Sequence, residues 1–283
     1  MAMPFPRQTP STGPVSAMII GLVGCGKMGS ALTLGAIDAG VFPASSVRAY
    51  DSYPAAVESL GRNITAAASL ADVVNQSDVL LVCVKPNDVA GVLQEVKSQN
   101  RAPEDLLILS IAAGITIAAM ENEVAGSARI IRVMPNTPAL IGKGAAAYAL
   151  GSIATPEDGA FAKQLLSAVG TACLLKESLL DAVTGTSGSG PAYVYTFIEA
   201  LADGALLEGI PREQALQLAA QTVMGAAAMV LESGDHPAIL RDRVTSPGGT
   251  TIAGLAALEE GAFRSDVINA VKAAAHRARE LGS

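Results

Sequence analysis

The chain of 283 residues has only two histidines, His236 and His276, and neither has a carboxylate or a second histidine at metal-ligand spacing. No metal is expected, and both histidines read as non-catalytic. Three cysteines, Cys25, Cys83 and Cys173, stand singly and far apart. That count excludes a disulfide framework and a zinc site, and it fits reduced thiols in a cytosol. No Lys/Arg cluster appears in a chain of net charge −7, so the electrostatic footprint of nucleic-acid binding is missing. No apolar run reaches the ~18 residues that span a bilayer, and no repeat recurs at solenoid periods. These absences imply a cytoplasmic protein without nucleic-acid or membrane partners. Residues 1–16 hold Pro4, Pro6, Pro10 and Pro14 and lack the apolar core of a signal peptide. They read as a disordered extension.

Half of the sequence is hydrophobic, and its arrangement changes along the chain. Short apolar runs at 18–23, 47–50, 79–84, 106–110 and 130–133 have the length and continuity of buried strands. Helical stretches alternate with them, at 28–39, 69–76 and 88–97. Alternation of this kind implies a parallel sheet covered on both faces. Residues 145–150, 157–169 and 171–175 extend the sheet with one more helix. Beyond Lys176 strand-like runs become scarce. Helical spacing dominates 181–208, as one helix or as two broken around Gly185–Gly190, and continues through 212–232, 236–245, 250–260 and 264–281. The fold class is therefore α/β, with an α/β domain over 17–176 followed by an all-helical domain over 177–283. The second domain is apolar and alanine-rich enough to bury surface against another subunit.

Two glycine loops carry the chemistry. Gly24-Cys25-Gly26-Lys27-Met28-Gly29 joins a strand to a helix. In such a loop the first glycine permits the turn, the second lets a pyrophosphate approach the backbone, and the third lets helix and strand pack closely. Asp51 ends the next strand at the spacing expected for a ribose contact, with Ser52 beside it. Ser246-Pro247-Gly248-Gly249-Thr250-Thr251 lies at the mouth of another helix and offers backbone N–H groups and hydroxyls to a small carboxylate. One loop for a dinucleotide and one for a small acid indicate a redox enzyme acting on an amino-acid-like substrate.

Three further segments follow strands. Lys85-Pro86 closes 79–84, where carboxyl ends of parallel strands line the ligand crevice, so Lys85 either faces a ligand there or is merely solvated. Ala112-Ala113-Gly114 is small enough for a nicotinamide to lie against it, or serves tight helix packing. Met134-Pro135-Asn136-Thr137-Pro138 reads as a rigid turn. Gly185-x-x-Gly188-x-Gly190 precedes a helix near the domain junction, where it lies over a nicotinamide or only relieves crowding, and Ser187 and Ser189 serve as polar contacts or, more readily, helix caps.

Taken in order, these motifs resemble pyrroline-5-carboxylate reductases. The most specific are Arg241–Ile252 with Leu258–Arg264, and Val183–Tyr193; Val84-Lys85-Pro86, Ala112-Ala113-Gly114 and Met134–Pro138 accompany them, and the likeness runs from about Met18 to the end. The resemblance implies an N-terminal Rossmann-type domain and a helical domain that interlocks with a partner, giving at least a homodimer and in some relatives a ring of dimers. It implies NADPH or NADH as cofactor, held by Gly24, Cys25, Gly26, Lys27, Met28, Gly29, Asp51, Ser52, Val84, Lys85, Pro86, Ile111, Ala112 and Ala113. The substrate, a cyclic imino acid, would rest its carboxylate on Ser246, Gly248, Gly249, Thr250 and Thr251. Thr251 and Lys85 are the catalytic candidates, with the Thr251 hydroxyl on the ring nitrogen. Arg243 stands where some relatives carry an amide that touches the cofactor.

The implied reaction is hydride transfer to a protonated imine, giving L-proline. It needs anchoring and orientation, and no covalent nucleophile. Hydroxyacid dehydrogenases of similar architecture place a lysine four residues after the last junction glycine; Val194 stands there, so alcohol oxidation would lack its acid/base group. The alternatives are a non-catalytic dinucleotide sensor, which has no use for Ser246–Thr251, and a reductase of a related cyclic imine.

Overall fold

The structure is a computed structural model and describes residues 18–282. The expected extension at residues 1–16 lies outside the described residues.

Eight strands form one sheet: β1 (Ile20–Val23), β2 (Val47–Tyr50), β3 (Thr65–Ala66), β4 (Val79–Val82), β5 (Leu107–Ser110), β6 (Arg129–Met134), β7 (Gly144–Leu150) and β8 (Gly170–Leu174). Their spatial order is β3-β2-β1-β4-β5-β6-β7-β8. All neighbours run parallel except β6 and β7. The first six strands thus have the doubly wound order, which reverses between β1 and β4. Six helices belong to this part: α1 (Lys27–Asp38), α2 (Pro54–Glu58), α3 (Leu70–Gln76), α4 (Pro86–Ser98), α5 (Ile117–Val124) and α6 (Pro156–Ser167).

The unbroken apolar strands follow from burial on both faces. Successive side chains of a strand point to opposite faces. Val79 and Leu81 of β4 join a core with Leu32 and Ala36 of α1 and Leu165 and Leu166 of α6. Their neighbours Leu80 and Val82 join a second core with Val92 and Val96 of α4 and Met120 and Val124 of α5. The short strand β3 was not expected, because both of its residues are exposed and give no apolar signal.

The helical part comprises α7 (Leu180–Val183), α8 (Gly190–Leu207), α9 (Arg212–Ser233), α10 (Pro237–Arg243), α11 (Thr250–Glu260) and α12 (Phe263–Leu281). Between α7 and α8 the chain makes a π-turn over Thr184–Gly188, in which the Ser189 N–H donates to the Thr184 carbonyl at 2.8 Å. A π-turn of this kind often marks a functional position. Of the two readings of 181–208, one helix or two broken around Gly185–Gly190, the chain takes the second, two helices joined by this π-turn. Ser189 stands at the N-cap of α8, but its hydroxyl makes no capping bond, contrary to the capping role expected of it.

The described chain divides into two compact units. One runs to Val183 and includes the residues from Ala278 on; the other is Thr184–Arg277. Residues 177–183 pack with the first because Leu180 is fully buried in its core and Glu177 pairs with Arg132 of β6. The second unit has little core of its own: Ala202, Ala215 and Ala219 are its buried cluster, with Ile198, Ala205 and Ile210 against them. Leu207, Leu216, Leu218, Met224, Met229, Leu231 and Ile268 are all exposed in the single chain. Apolar residues left open in such number fit an interaction surface. By length and composition alone α9 is also long and apolar enough to cross a membrane. A search for unbroken apolar runs passes over it, because Gln217 and Gln221 interrupt the pattern.

Candidate active site

The glycine loop lies in the first unit, at the carboxyl end of β1. Gly24 has φ of 94°, and a Cβ placed on it would lie 2.6 Å from the Cys83 backbone. A Cβ on Gly29 would lie 2.2 Å from the Gly24 carbonyl oxygen and 3.0 Å from the Cys83 Cβ. Both positions therefore exclude any side chain. Gly26 differs: it is the N-cap of α1, no side chain caps it, and a Cβ there would meet nothing within 4 Å. The loop is locked at its first and third glycines and open at its second. That is the shape a pyrophosphate requires, with the first N–H groups of α1 and the positive end of its dipole facing the opening. Lys27 is exposed and Met28 half-buried beside it. The residues present thus fit a dinucleotide.

Asp51 is committed to the loop itself. Its Oδ2 accepts from the Cys25 N–H at 2.8 Å, and its Oδ1 accepts from the Tyr53 N–H at 2.9 Å. The Ser30 hydroxyl donates to the Cys25 carbonyl at 3.0 Å, and the Gly24 N–H to the Tyr50 carbonyl at 2.9 Å. Sequence spacing marked Asp51 for the ribose. Its role as a brace across 26 residues of chain gives no sequence signal. Ser52 is exposed at the same edge.

One thiol, Cys25, belongs to this loop, and a second, Cys83, lies beneath it. Burial pushes Cys25 up to about 12, with the nearby Asp51 carboxylate adding to the effect. Burial also raises Cys83 to about 12, with Cys25 as the smaller cause. The Cys25 Sγ donates to the Tyr50 carbonyl at 3.7 Å.

The neighbouring strand ends complete the crevice. Val23, Val82 and Ser110 are in register across β1, β4 and β5. The segments Gly24–Gly29, Val84-Lys85-Pro86 and Ile111-Ala112-Ala113 therefore leave the sheet side by side, at the point where strand order reverses. Lys85 is the exposed N-cap of α4, and Pro86 occupies the first turn, where a missing N–H costs nothing. Ala112 is buried and Ala113 exposed, and Gly114 takes φ of 78°. The Asn136 side chain is buried and accepts from the Ala145 N–H at 2.8 Å, which pins the Met134–Pro138 turn to β7.

The second glycine loop lies in the second unit. After α10, the Thr245 hydroxyl donates to the Arg241 carbonyl at 2.7 Å and the Gly249 N–H to the Ser246 carbonyl at 3.1 Å. Gly248 has φ of 66°. Gly249 is the N-cap of α11, again without a side-chain cap, and a Cβ on it would lie 2.4 Å from the Ser246 Oγ. The loop thus presents the first-turn N–H groups of α11 together with the Ser246, Thr250 and Thr251 hydroxyls. Ser246 and Thr250 are exposed, and Thr251 is half-buried. Arg243 is held by Asp235 at 2.5 Å. His236 caps α10, its Nδ1 accepting from the Ala238 N–H at 3.2 Å.

Comparison with known proteins bears on both units. A family described as "Pyrroline-5-carboxylate reductase dimerisation" matches residues 177–281, and one described as "NADP oxidoreductase coenzyme F420-dependent" matches residues 19–114. A pyrroline-5-carboxylate reductase of Methanosarcina acetivorans is 47% identical over 265 residues, covering 93% of this chain and 97% of the relative. Among solved structures, a pyrroline-5-carboxylate reductase from Coxiella burnetii superposes with a TM-score of 0.89 at 30% identity, covering 94% of this chain and 99% of the other. A Plasmodium falciparum pyrroline carboxylate reductase with NADP bound gives a TM-score of 0.82 at 32% identity, covering 95% and 99%.

Proposed function

Because the chain belongs to the pyrroline-5-carboxylate reductase family, we propose that its two glycine loops divide one reaction between them, the first holding the cofactor and the second the substrate. The protein is an NAD(P)H-dependent oxidoreductase that reduces 1-pyrroline-5-carboxylate to L-proline, the last step of proline biosynthesis. When bound, NADH or NADPH supplies the hydride that reaches the imine carbon. The observation that carries the division is the pair of glycine N-caps, Gly26 and Gly249, each leaving helix N–H groups without a side-chain acceptor.

Gly24, Gly26 and Gly29 shape the pyrophosphate cradle, and Cys25, Lys27 and Met28 complete it. Val84, Lys85, Pro86, Ile111, Ala112 and Ala113 form the wall for the nicotinamide. Asp51 and Ser52 meet the adenosine ribose. Ser246, Gly248, Gly249, Thr250 and Thr251 hold the substrate carboxylate, and the Thr251 hydroxyl hydrogen-bonds the ring nitrogen. An imine accepts hydride at carbon once its nitrogen is protonated. A hydroxyl that tracks that nitrogen keeps the ring oriented as it changes from planar to tetrahedral. Lys85 adds a cation at the carboxyl end of β4. Functionally, residues 17–176 serve the cofactor, and residues 177–283 serve the substrate and association.

The dimerisation match and the uncovered apolar helices support an oligomer. In our reading it is a homodimer at least, each site drawing its cofactor half from one chain and its helical half from the other, and a ring of dimers is compatible with it. The cytoplasm is the compartment this role implies. The test follows absorbance at 340 nm with 1-pyrroline-5-carboxylate and each nicotinamide. Imine-dependent oxidation is expected, with NADH used at least as well as NADPH. Cofactor binding without turnover would indicate a sensor, and turnover of a 2-hydroxy or 2-keto acid instead would overturn the reading.

A further inference from the structure

Within the first unit, the loop after β5 is held at two points by residues distant in sequence. At its far end the Ile117 N–H, in the first turn of α5, donates to the Glu177 Oε1 at 2.7 Å. The same oxygen accepts from Arg132 Nη1 at 3.0 Å, and Arg132 Nη2 lies 3.5 Å from the Asp181 carboxylate. Arg132 is only 7% exposed, so Glu177 is fixed from beneath by a buried cation. At the middle of the loop the last residues of α12 press on Gly114. A Cβ on Gly114 would lie 3.3 Å from the Leu281 carbonyl oxygen, and one on Gly282 would lie 2.9 Å from the Gly114 carbonyl oxygen. Gly114 and Gly282 therefore meet backbone to backbone. At its start the loop is tied by the Ala112 N–H to the Ser110 Oγ at 3.4 Å.

We infer that Glu177 and the Leu281–Gly282 turn are positioning elements for hydride transfer: they fix the wall Ile111-Ala112-Ala113 on which the nicotinamide lies. The inference rests on the proposed assignment of that wall. Their contacts are with Gly114 and Ile117, beyond that wall, so both act through the loop. The pyrophosphate cradle, on the separate segment Gly24–Gly29, carries the binding energy and is untouched when the clamp is released. Loosening the wall therefore costs geometry at the reacting carbon rather than affinity. Small misplacements of a reacting group reduce rate steeply, by up to about a hundredfold for a displacement near 1 Å.

The experiment uses the full chain with Gly282→Val, Glu177→Ala and Glu177→Gln. For each, kcat is measured with 1-pyrroline-5-carboxylate, cofactor Kd by fluorescence titration, and the primary isotope effect with cofactor deuterated at the transferred hydrogen. Gly282→Val and Glu177→Ala are expected to lower kcat about tenfold to a hundredfold and to raise the isotope effect, with cofactor Kd within twofold of native. Glu177→Gln keeps an oxygen acceptor for the Ile117 N–H and should recover most of the loss. Unchanged kcat and isotope effect in both variants would overturn the inference, as would kcat and cofactor affinity falling in parallel. Native turnover of the imine separates the two readings. Its absence removes the proposed function itself, whereas native turnover with unaltered variants removes only the clamp.

Discussion

The two glycine loops have nearly the same local backbone and very different surroundings. Gly26 and Gly249 both cap a helix from an extended conformation, φ −69° and ψ −178° against φ −82° and ψ 178°. The first loop is wedged between β1 and the end of β4, with Gly24 and Gly29 pressed on Cys83. The second is braced only by its own Ser246 turn and lies open in the single chain. One helix N-terminus is thus built into the sheet, while the other has only its own turn around it. The difference shows that local chain geometry makes the anion-binding end of a helix, but only packing decides whether one chain completes the pocket. In the proposed reading, a loop without its own wall is one that a partner subunit completes.

The comparison can be broken most severely at Gly24. Gly24→Ala combines a positive φ with backbone overlap, and it should destabilise the fold by at least about 2–3 kcal/mol, read as a lowered denaturation midpoint in urea. Gly26→Ala sharpens the contrast: its Cβ meets no protein atom, so the melting temperature should hold. Cofactor Kd should nevertheless rise on the order of tenfold or more, since each 1.4 kcal/mol of lost contact is tenfold. Wild-type affinity in that variant would remove the cradle assignment. In the second loop, Thr251→Ala should lower kcat about tenfold to a hundredfold, the worth of roughly 1.5–3 kcal/mol for a hydrogen bond to a charged group, with cofactor Kd unchanged. Light scattering at micromolar concentration should give at least a dimer; a fully active single chain would end the shared-site reading.

The last effect appears only at alkaline pH. Burial pushes the Cys25 and Cys83 thiols up from 9.0 to about 12 in the folded chain. Between these values the unfolded chain has lost protons that the folded chain keeps, so stability is full below about pH 9 and falls as pH rises toward 12. Cys83→Ala should flatten that alkaline decline while leaving neutral-pH stability less affected, as followed by urea midpoints across the range.

Much of this molecule was legible in the sequence because its strands are buried on both sides. Val79–Val82 reads as a strand since every residue of it has a core to enter. The glycine loop was legible because its three glycines stand at fixed offsets, the first and third where a side chain would clash and the second where the loop must stay open. What escaped were features that depend on residues brought together from afar. Glu177 reaches the Ile117 N–H across 60 residues, and no local pattern distinguishes it from a solvated glutamate. Gly282 looks like a helix stop and carries no sign that it touches Gly114. The π-turn at Thr184–Gly188 was visible only as a glycine-rich interruption, since the spacing of glycines does not say whether a helix breaks or widens.

The commitment of Asp51 to the Cys25 and Tyr53 N–H groups has a consequence for engineering cofactor preference. A designer who wants room for a 2′-phosphate would first shorten or neutralise this side chain. Here that edit also removes an acceptor from the N–H of a buried residue, at a cost of roughly 1–3 kcal/mol. In the proposed ribose role of Asp51, selectivity and loop integrity are therefore tied to a single side chain, and a library varying position 51 alone would sample damaged loops along with altered preferences. Asparagine is the replacement that separates the two traits: its one oxygen can keep the Cys25 N–H bonded while the negative charge is gone. A second change nearby, at Ser52 or Tyr53, is then free to shape the phosphate contact on an intact scaffold.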